Sequence, residues 1–291
     1  MKIALIGATA KTGRLLLAAL RDADHDVVAI GRDEGRLRAL DARGPWTVAD
    51  LERPKTLIPA VRDADLVVSL AHARFTGAVL AAAAPGQRLI LTGSTRVFSA
   101  LPDPAAEAVR AAERLFLDSG RAGLMLHPSM IYGAPEDRNI ARLFALFEGW
   151  PRALPVVVPL PGGGRATVQP IHAGDVVAAF LAAVARPDSN GPPIVVAGPA
   201  PVSYADLIRA IARRCGRRAA IAPVPTALLA WLADRLSGPD RAASFSGPEI
   251  RRAAEAKAFD IAPLRTRLGI EPRSLDRGLD EVARARRGEA R

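Results

Sequence analysis

The stretch KIALIGATAKTG, residues 2–13, decides the fold. An apolar run of strand length enters a glycine turn, and an amphipathic segment follows. A strand buried on both faces reads as such a continuous run. A turn that opens a helix aims the helix's free N–H groups and positive dipole end at an anion. Gly7 supplies the unusual dihedrals of a tight turn, and Gly13 lets the helix lie close to the strand. Gly7, Thr9, Ala10, Lys11, Thr12 and Gly13 are thus a candidate pyrophosphate cradle. Ala10 stands midway between Gly7 and Gly13, three residues from each. The competing reading is a doubly wound domain that no longer binds a dinucleotide.

Outward from this turn, strand and helix patterns alternate. Strands are expected at Lys2–Gly7, His25–Ile30, Trp46–Val48, Asp65–Leu70, Gln87–Thr92 and from Leu124. Between them come helices at Thr12–Ala23, Asp33–Ala42, Pro54–Arg62, a segment ending at Ala84, and Asp103–Ser119, with Ala106, Val109, Ala112, Leu115 and Phe116 facing inward. The pattern implies an α/β protein: a doubly wound parallel Rossmann sheet covered on both faces. After Pro128 the rhythm changes. Pro151–Gly164 reads as irregular, with Gly162–Gly164 a flexible loop over the pocket. A helix at Gly174–Ala185, in which Asp175 reads as a cap, and a strand at Pro193–Ala197 return to the sheet. Helices at Ser203–Cys215, Pro225–Leu236 and Ser274–Arg286 then form a smaller, mostly helical C-terminal lobe, and Arg286–Arg291 reads as a frayed tail. The expected division is 1–200 for the dinucleotide core, with 128–172 contributing to the pocket, and 201–291 for a substrate lobe.

The 291 residues are 49% hydrophobic and only 4% aromatic, so the core must be aliphatic. The single cysteine, Cys215, excludes an internal disulfide framework and fits a reducing compartment. The N-terminal apolar run is too short for a signal sequence, and no run reaches the roughly 18 apolar residues of a membrane helix. A cytoplasmic protein with no integral membrane segment is expected. The formal charge of +10 comes almost wholly from arginine, scattered along the chain. Nucleic-acid binding is one reading of that charge; the favoured one is solvated arginines with no nucleic-acid partner.

The choice of dinucleotide is read at the end of strand two. A carboxylate there would bond a ribose 2′-OH. This chain has Gly31-Arg32, and an arginine pairs with a 2′-phosphate, so NADP(H) is expected over NAD(H). Lys11 and Arg14 add charge nearby. Asp50 is placed to meet the adenine amino group, or else serves as a turn-capping Asp.

GATAKTG, VAIGRD, Ala49-Asp50-Leu51, LTGSTRVF, HPSMIYG with DRN after it, QPIHAGDVVAA and the tail AKAFDIAPLRTRLGIEPRSLDRGL together resemble extended and atypical short-chain dehydrogenase/reductases over the whole length. The nearest branch resembles NAD-dependent epimerase/dehydratase-like, NmrA-like and respiratory complex I accessory-subunit proteins. The resemblance implies a nicotinamide dinucleotide across the strand ends, touching Asp50, Leu51, Leu70, Ala71, Thr92, Gly93, Pro128, Ser129 and Met130. It places Ser94 at the family's substrate-orienting hydroxyl. His127 stands where many relatives carry Arg.

The family's acid/base pair, Tyr-x-x-x-Lys on the helix after strand five, is missing. Tyr132 is followed four residues on by Glu136 and Tyr204 by Ile208, and no lysine lies between Lys55 and Lys257. Aligning Glu113 with the acidic residue common in the branch puts Ala105 and Val109 at the two positions, and Arg110 differs too much in donor geometry to replace a lysine. Other proton donors to weigh are Tyr132, Ser94, His72 and His127, with core packing as the rival reading for Tyr132 and a hydrogen-bonded loop histidine for the other two. No metal is expected, because His25, His72, His127 and His172 are widely spaced. Two functions remain. One is an NAD(P)-dependent reductase or epimerase-like enzyme with an unusual donor and an unknown small-molecule substrate. The other is a non-catalytic dinucleotide sensor or scaffold with a protein partner.

Overall fold

The computed structural model describes residues 1–40, 44–134, 140–151, 154, 156–188, 190–236 and 246–289. The first half alternates strand and helix: β1 (Lys2–Ile6), α1 (Lys11–Asp22), β2 (Asp26–Gly31), α2 (Glu34–Leu40), β3 (Trp46–Val48), α3 (Leu57–Val61), β4 (Leu66–Ser69), α4 (Thr76–Ala82), β5 (Arg88–Thr92), α5 (Pro104–Asp118) and β6 (Gly123–Pro128). Next come β7 (Ile131–Tyr132), α6 (Ile140–Gly149), β8 (Val156–Pro161), β9 (Thr167–Val168), β10 (Ile171–His172), α7 (Ala173–Ala185) and β11 (Ile194–Val196). The chain ends with β12 (Val202–Ser203), α8 (Tyr204–Arg214), β13 (Ala219–Val224), α9 (Thr226–Leu236), α10 (Gly247–Ala253), α11 (Ala262–Leu268) and α12 (Leu275–Arg286).

Seven strands form one parallel sheet in the order β3-β2-β1-β4-β5-β6-β11. The order reverses at β1, which lies between β2 and β4, and such a switch point opens a crevice at the carboxyl ends of the strands. β1, β4 and β6 are almost wholly buried, as their unbroken apolar runs require. Leu16, Leu17 and Leu20 bury one face of α1, which packs with α7. Side chains cap several helix starts: Asp33 accepts from the Arg36 N–H, Asp103 from Ala105, Ser203 from Asp206 and Ser274 from Arg277.

By internal contacts the chain forms two compact units. One comprises Met1–Ser129, Ala173–Val196 and Asp260–Glu271; the other comprises Met130–His172, Ala197–Phe259 and Pro272–Arg291. The chain passes between them several times, rather than once between residues 200 and 201. The reason is that α11 returns to pack on β11 and α7, burying Leu264 and Leu268.

Several expectations need correction. Pro151–Gly164 is not irregular throughout. It contains β8, which pairs in parallel with β13 from Val156↔Ala219 to Pro161↔Val224, while the C-terminal part is mostly helical as expected. Gly162–Gly164 is a packed 3-10 turn. All three φ values are positive, Gly164 is buried, and a Cβ there would lie 2.5 Å from Leu160 Cδ1. Leu115 on α5 is 47% exposed, because Phe116 takes the inward position. The 54–62 helix divides into a 3-10 turn, Pro54–Thr56, and α3. Asp175 lies inside the first turn of α7 and is buried. The tail is held as far as Arg286, which pairs with Glu148, and Arg287, which pairs with Glu289. The end of the 33–42 helix, Glu136, the DRN motif and residues 290–291 lie outside the described residues.

Candidate functional site

The strand register brings the turn residues to one edge of the sheet. Ile6 pairs with Ile30 and Ser69, and Thr92 with Leu126, so Gly7, Arg32, Leu70, Gly93 and Pro128 leave or end strands on the same side. Gly7 has φ +81°, and a Cβ there would lie 3.3 Å from the Leu70 carbonyl carbon and 3.4 Å from the Ala71 nitrogen. The glycine turn therefore abuts Leu70 and Ala71 at the switch point. A Cβ on Gly13 would lie 2.2 Å from the Gly7 carbonyl oxygen, so only glycine permits this approach of α1 to β1. A Cβ on Gly31 would lie 3.4 Å from Thr9 Cγ2, which places Thr9 beside the end of β2.

Ala10 is exposed and caps α1 in extended backbone, φ −70° and ψ 161°, which any residue adopts. An alanine at this position therefore carries no backbone strain. It offers no side-chain cap, and the first turn of α1 has no acidic residue. Lys11 and Thr12 open that turn, and the Arg14 Nε donates to the Thr9 carbonyl at 3.4 Å. A cradle that a Cβ would fill, below a helix end without a side-chain cap, fits a pyrophosphate.

Arg32 is exposed just past β2. The Asp50 carboxylate accepts the Glu52 N–H at 3.1 Å, so the turn-capping role engages one of its oxygens. Leu51 packs against the apolar cluster that includes Ala49.

At the other end of the crevice, the Thr92 hydroxyl donates to the Ser69 carbonyl at 2.8 Å. The Gly93 N–H donates to the Leu126 carbonyl at 2.7 Å. The Ser94 N–H donates to His127 Nδ1 at 2.9 Å, and the Ser94 Oγ accepts the Arg96 N–H at 3.2 Å. His127 is 1% exposed, with Nε2 2.6 Å from Glu113 Oε2. Burial pushes its pKa below the ordinary histidine value, against the opposing pull of Glu113. His72 follows β4 and accepts the Arg74 N–H on Nδ1; burial and then Arg74 and Arg96 hold its pKa low as well. The Thr95 hydroxyl donates to the Pro128 carbonyl at 3.4 Å, and the Ser129 N–H donates to that of Val196 at 3.0 Å.

On α5, Val109 is buried with Ala73, Ala112 and Val97. Ala105 lies one turn earlier on the same helix. Arg110 donates to the Val97 and Ser99 carbonyls, and this ties α5 to the turn after β5.

Met130 and Tyr132 belong to the second unit. Tyr132 is 1% exposed, with its ring edge-on to His172 at 5.3 Å. A Cβ on Gly278 would lie 2.0 Å from the Tyr132 hydroxyl oxygen. The phenol is enclosed against α12, which corrects the expectation of a catalytic Tyr132 in favour of packing. Met130 packs against the same core. The sequence reading named Glu113 and His127 separately and missed their contact; the one hint was a histidine within the apolar run GLMLHP. Among the described residues no group of three or more His, Cys, Asp or Glu side chains could hold a metal. Nor is any helix among them long and apolar enough to cross a membrane.

Comparisons with known proteins agree with this geometry. Residues 7–132 match a family model described as NAD(P)H-binding. The chain is 30% identical over 278 residues to a 3-diazoavenalumate denitrifying reductase of a Streptomyces species, covering 82% of this chain and 88% of the relative. It is 25% identical to an uncharacterised Mycobacterium tuberculosis protein over 94% of this chain, but spans only 28% of that protein. Among solved structures, it shares its fold with Pal from Bacillus thuringiensis, at TM-score 0.75, 15% identity and 100% coverage of both chains. It likewise matches the UDP-glucuronic acid 4-epimerase of Bacillus cereus, solved with UDP-glucuronic acid and NAD, at TM-score 0.74, 19% identity and 100% coverage of both.

Proposed function

Because the chain belongs to the extended and atypical short-chain dehydrogenase/reductase family, a family of NAD(P)-binding proteins, we propose that it is a reductase working without the Tyr-x-x-x-Lys pair, in the cytoplasm, with NADP(H) as its preferred dinucleotide. The observation that carries this is the glycine cradle at the switch point, set beside a helix α5 that presents Ala105 and Val109. Gly7, Thr9, Ala10, Lys11, Thr12 and Gly13 would hold the pyrophosphate. Arg32 would meet the 2′-phosphate, and Asp50 with Leu51 the adenine. Leu70, Ala71, Thr92, Gly93, Pro128 and Ser129 would line the rest, with Ser94 at the substrate.

When bound, the dinucleotide supplies a hydride to an electron-poor acceptor. The chain's own groups suit acceptors whose reduction leaves no oxyanion to protonate. Both His127 nitrogens are engaged, so the imidazole is not free to relay a proton to Ser94. The Streptomyces relative is named a denitrifying reductase of a diazo compound; hydride added to the terminal nitrogen of an aryl diazonium gives an aryl diazene, which loses N2 as its hydrogen passes to carbon, so no oxyanion forms. The test is NADPH consumption with aryl diazonium and ketone panels. Turnover confined to ketones contradicts the reading. A second reading, a non-catalytic redox sensor or scaffold, is favoured by the burial of Tyr132. It expects dinucleotide binding with no turnover on any panel, and a protein partner whose binding depends on NADPH.

A further inference from the structure

We propose that His127 and Glu113 are a positioning pair for the substrate end of the site, holding the turn that carries Ser94 through a neutral imidazole. This rests on the reading that Ser94 faces substrate. The Ser94 N–H, at 2.9 Å, needs a lone pair on His127 Nδ1. The ring proton is then on Nε2, which donates to Glu113 Oε2 at 2.6 Å. One imidazole so joins α5, β6 and the turn after β5. Room for it depends on Gly93, where a Cβ would lie 2.1 Å from Nδ1 and 2.3 Å from Cε1. The pair stands in the first unit beside the position of the missing lysine, since Glu113 follows Val109 by one helical turn.

The arrangement works in one protonation state only. A proton on Nδ1 would set two N–H donors face to face and release the turn. The charged group facing the ring is Glu113, from α5. The turn after β5 contributes Ser94 and the Phe98 ring, 6.4 Å away, and β6 contributes Met125, all uncharged. Glu113 favours the charged imidazole and burial opposes it more strongly, which keeps the ring neutral near pH 7.

The test is amide hydrogen exchange of the full chain, read by mass spectrometry over residues 93–99 from about pH 5 to 8, with NADPH titrated in parallel. His127→Asn places a non-titrating oxygen near Nδ1. His127→Gln keeps a donor toward Glu113 but removes the acceptor. The native Ser94 amide is expected to lose protection on the acid side of the ordinary histidine range, and His127→Asn to keep it at every pH. His127→Gln should be about tenfold less protected throughout. Glu113→Gln, at a partly exposed site, should shift the native fall-off to lower pH, because the carboxylate raises the imidazole pKa. Coincident native and His127→Asn profiles, or full protection in His127→Gln, overturn the proposal. Failure of the native protein to bind NADPH overturns the dinucleotide reading, and the exchange profiles still decide whether the pair holds the turn.

Discussion

Arg32 and His127 sit at opposite ends of the crevice and act through different physics. Arg32 is exposed and serves as a permanent charge, so its effect depends on what the ligand brings. Arg32→Ala is expected to weaken NADPH by about 1–3 kcal/mol and to leave NADH unchanged, measured by calorimetry. Equal losses for both would remove the 2′-phosphate assignment. His127 is buried, and its folded pKa lies below the unfolded value of about 6.5. Between those two pKa values the unfolded chain binds more protons, so stability rises with pH there. This contribution is present above about pH 6.5 and is lost as pH falls toward the folded pKa. Thermal melts at stepped pH should therefore show a decline on the acid side of pH 6.5, and a shallower one in His127→Asn. Parallel declines would show that other groups carry the acid sensitivity.

At the scale of elements, the strands of the large sheet were legible because burial on both faces leaves an unmistakable apolar run. The β8–β13 ribbon was not. Pro159, Pro161 and Pro223 read as breakers, yet a two-stranded ribbon has outer edges where a missing N–H donor costs nothing. The helices α10 and α11 carried signals that went unweighed: the Ser246–Glu249 capping box in one, and Pro263 near the start with left-handed Gly269 at the end of the other. The cofactor cradle was readable because each glycine answers a local clash. The His127–Glu113 contact was not, because it depends on β6 lying alongside β5 and beneath α5. One long-range tie can be tested at this scale. Arg88 on β5 donates to the Ala183 and Arg186 carbonyls at 2.6 Å, closing the end of α7 against the sheet. Arg88→Met is expected to lower unfolding stability by about 1–3 kcal/mol in urea titrations, since those carbonyls lose a charged donor. An unchanged midpoint would show that the tie is dispensable.

For the whole molecule, several arginines serve as ties between segments. Arg88, Arg110, Arg121, Arg217 and Arg267 donate to backbone carbonyls. Arg214, Arg265, Arg273 and Arg286 pair with carboxylates. With only 4% aromatic residues, the chain ties its segments together with guanidinium groups as well as with aliphatic packing. These arginines thus have structural roles within the fold. The central claim is that the glycine cradle holds a nicotinamide dinucleotide despite Ala10. Calorimetric titration of the native protein with NADPH and NADH, with no substrate present, tests it most directly. The account predicts dissociation constants of about micromolar order with NADPH the tighter ligand; no binding of either dinucleotide would contradict it.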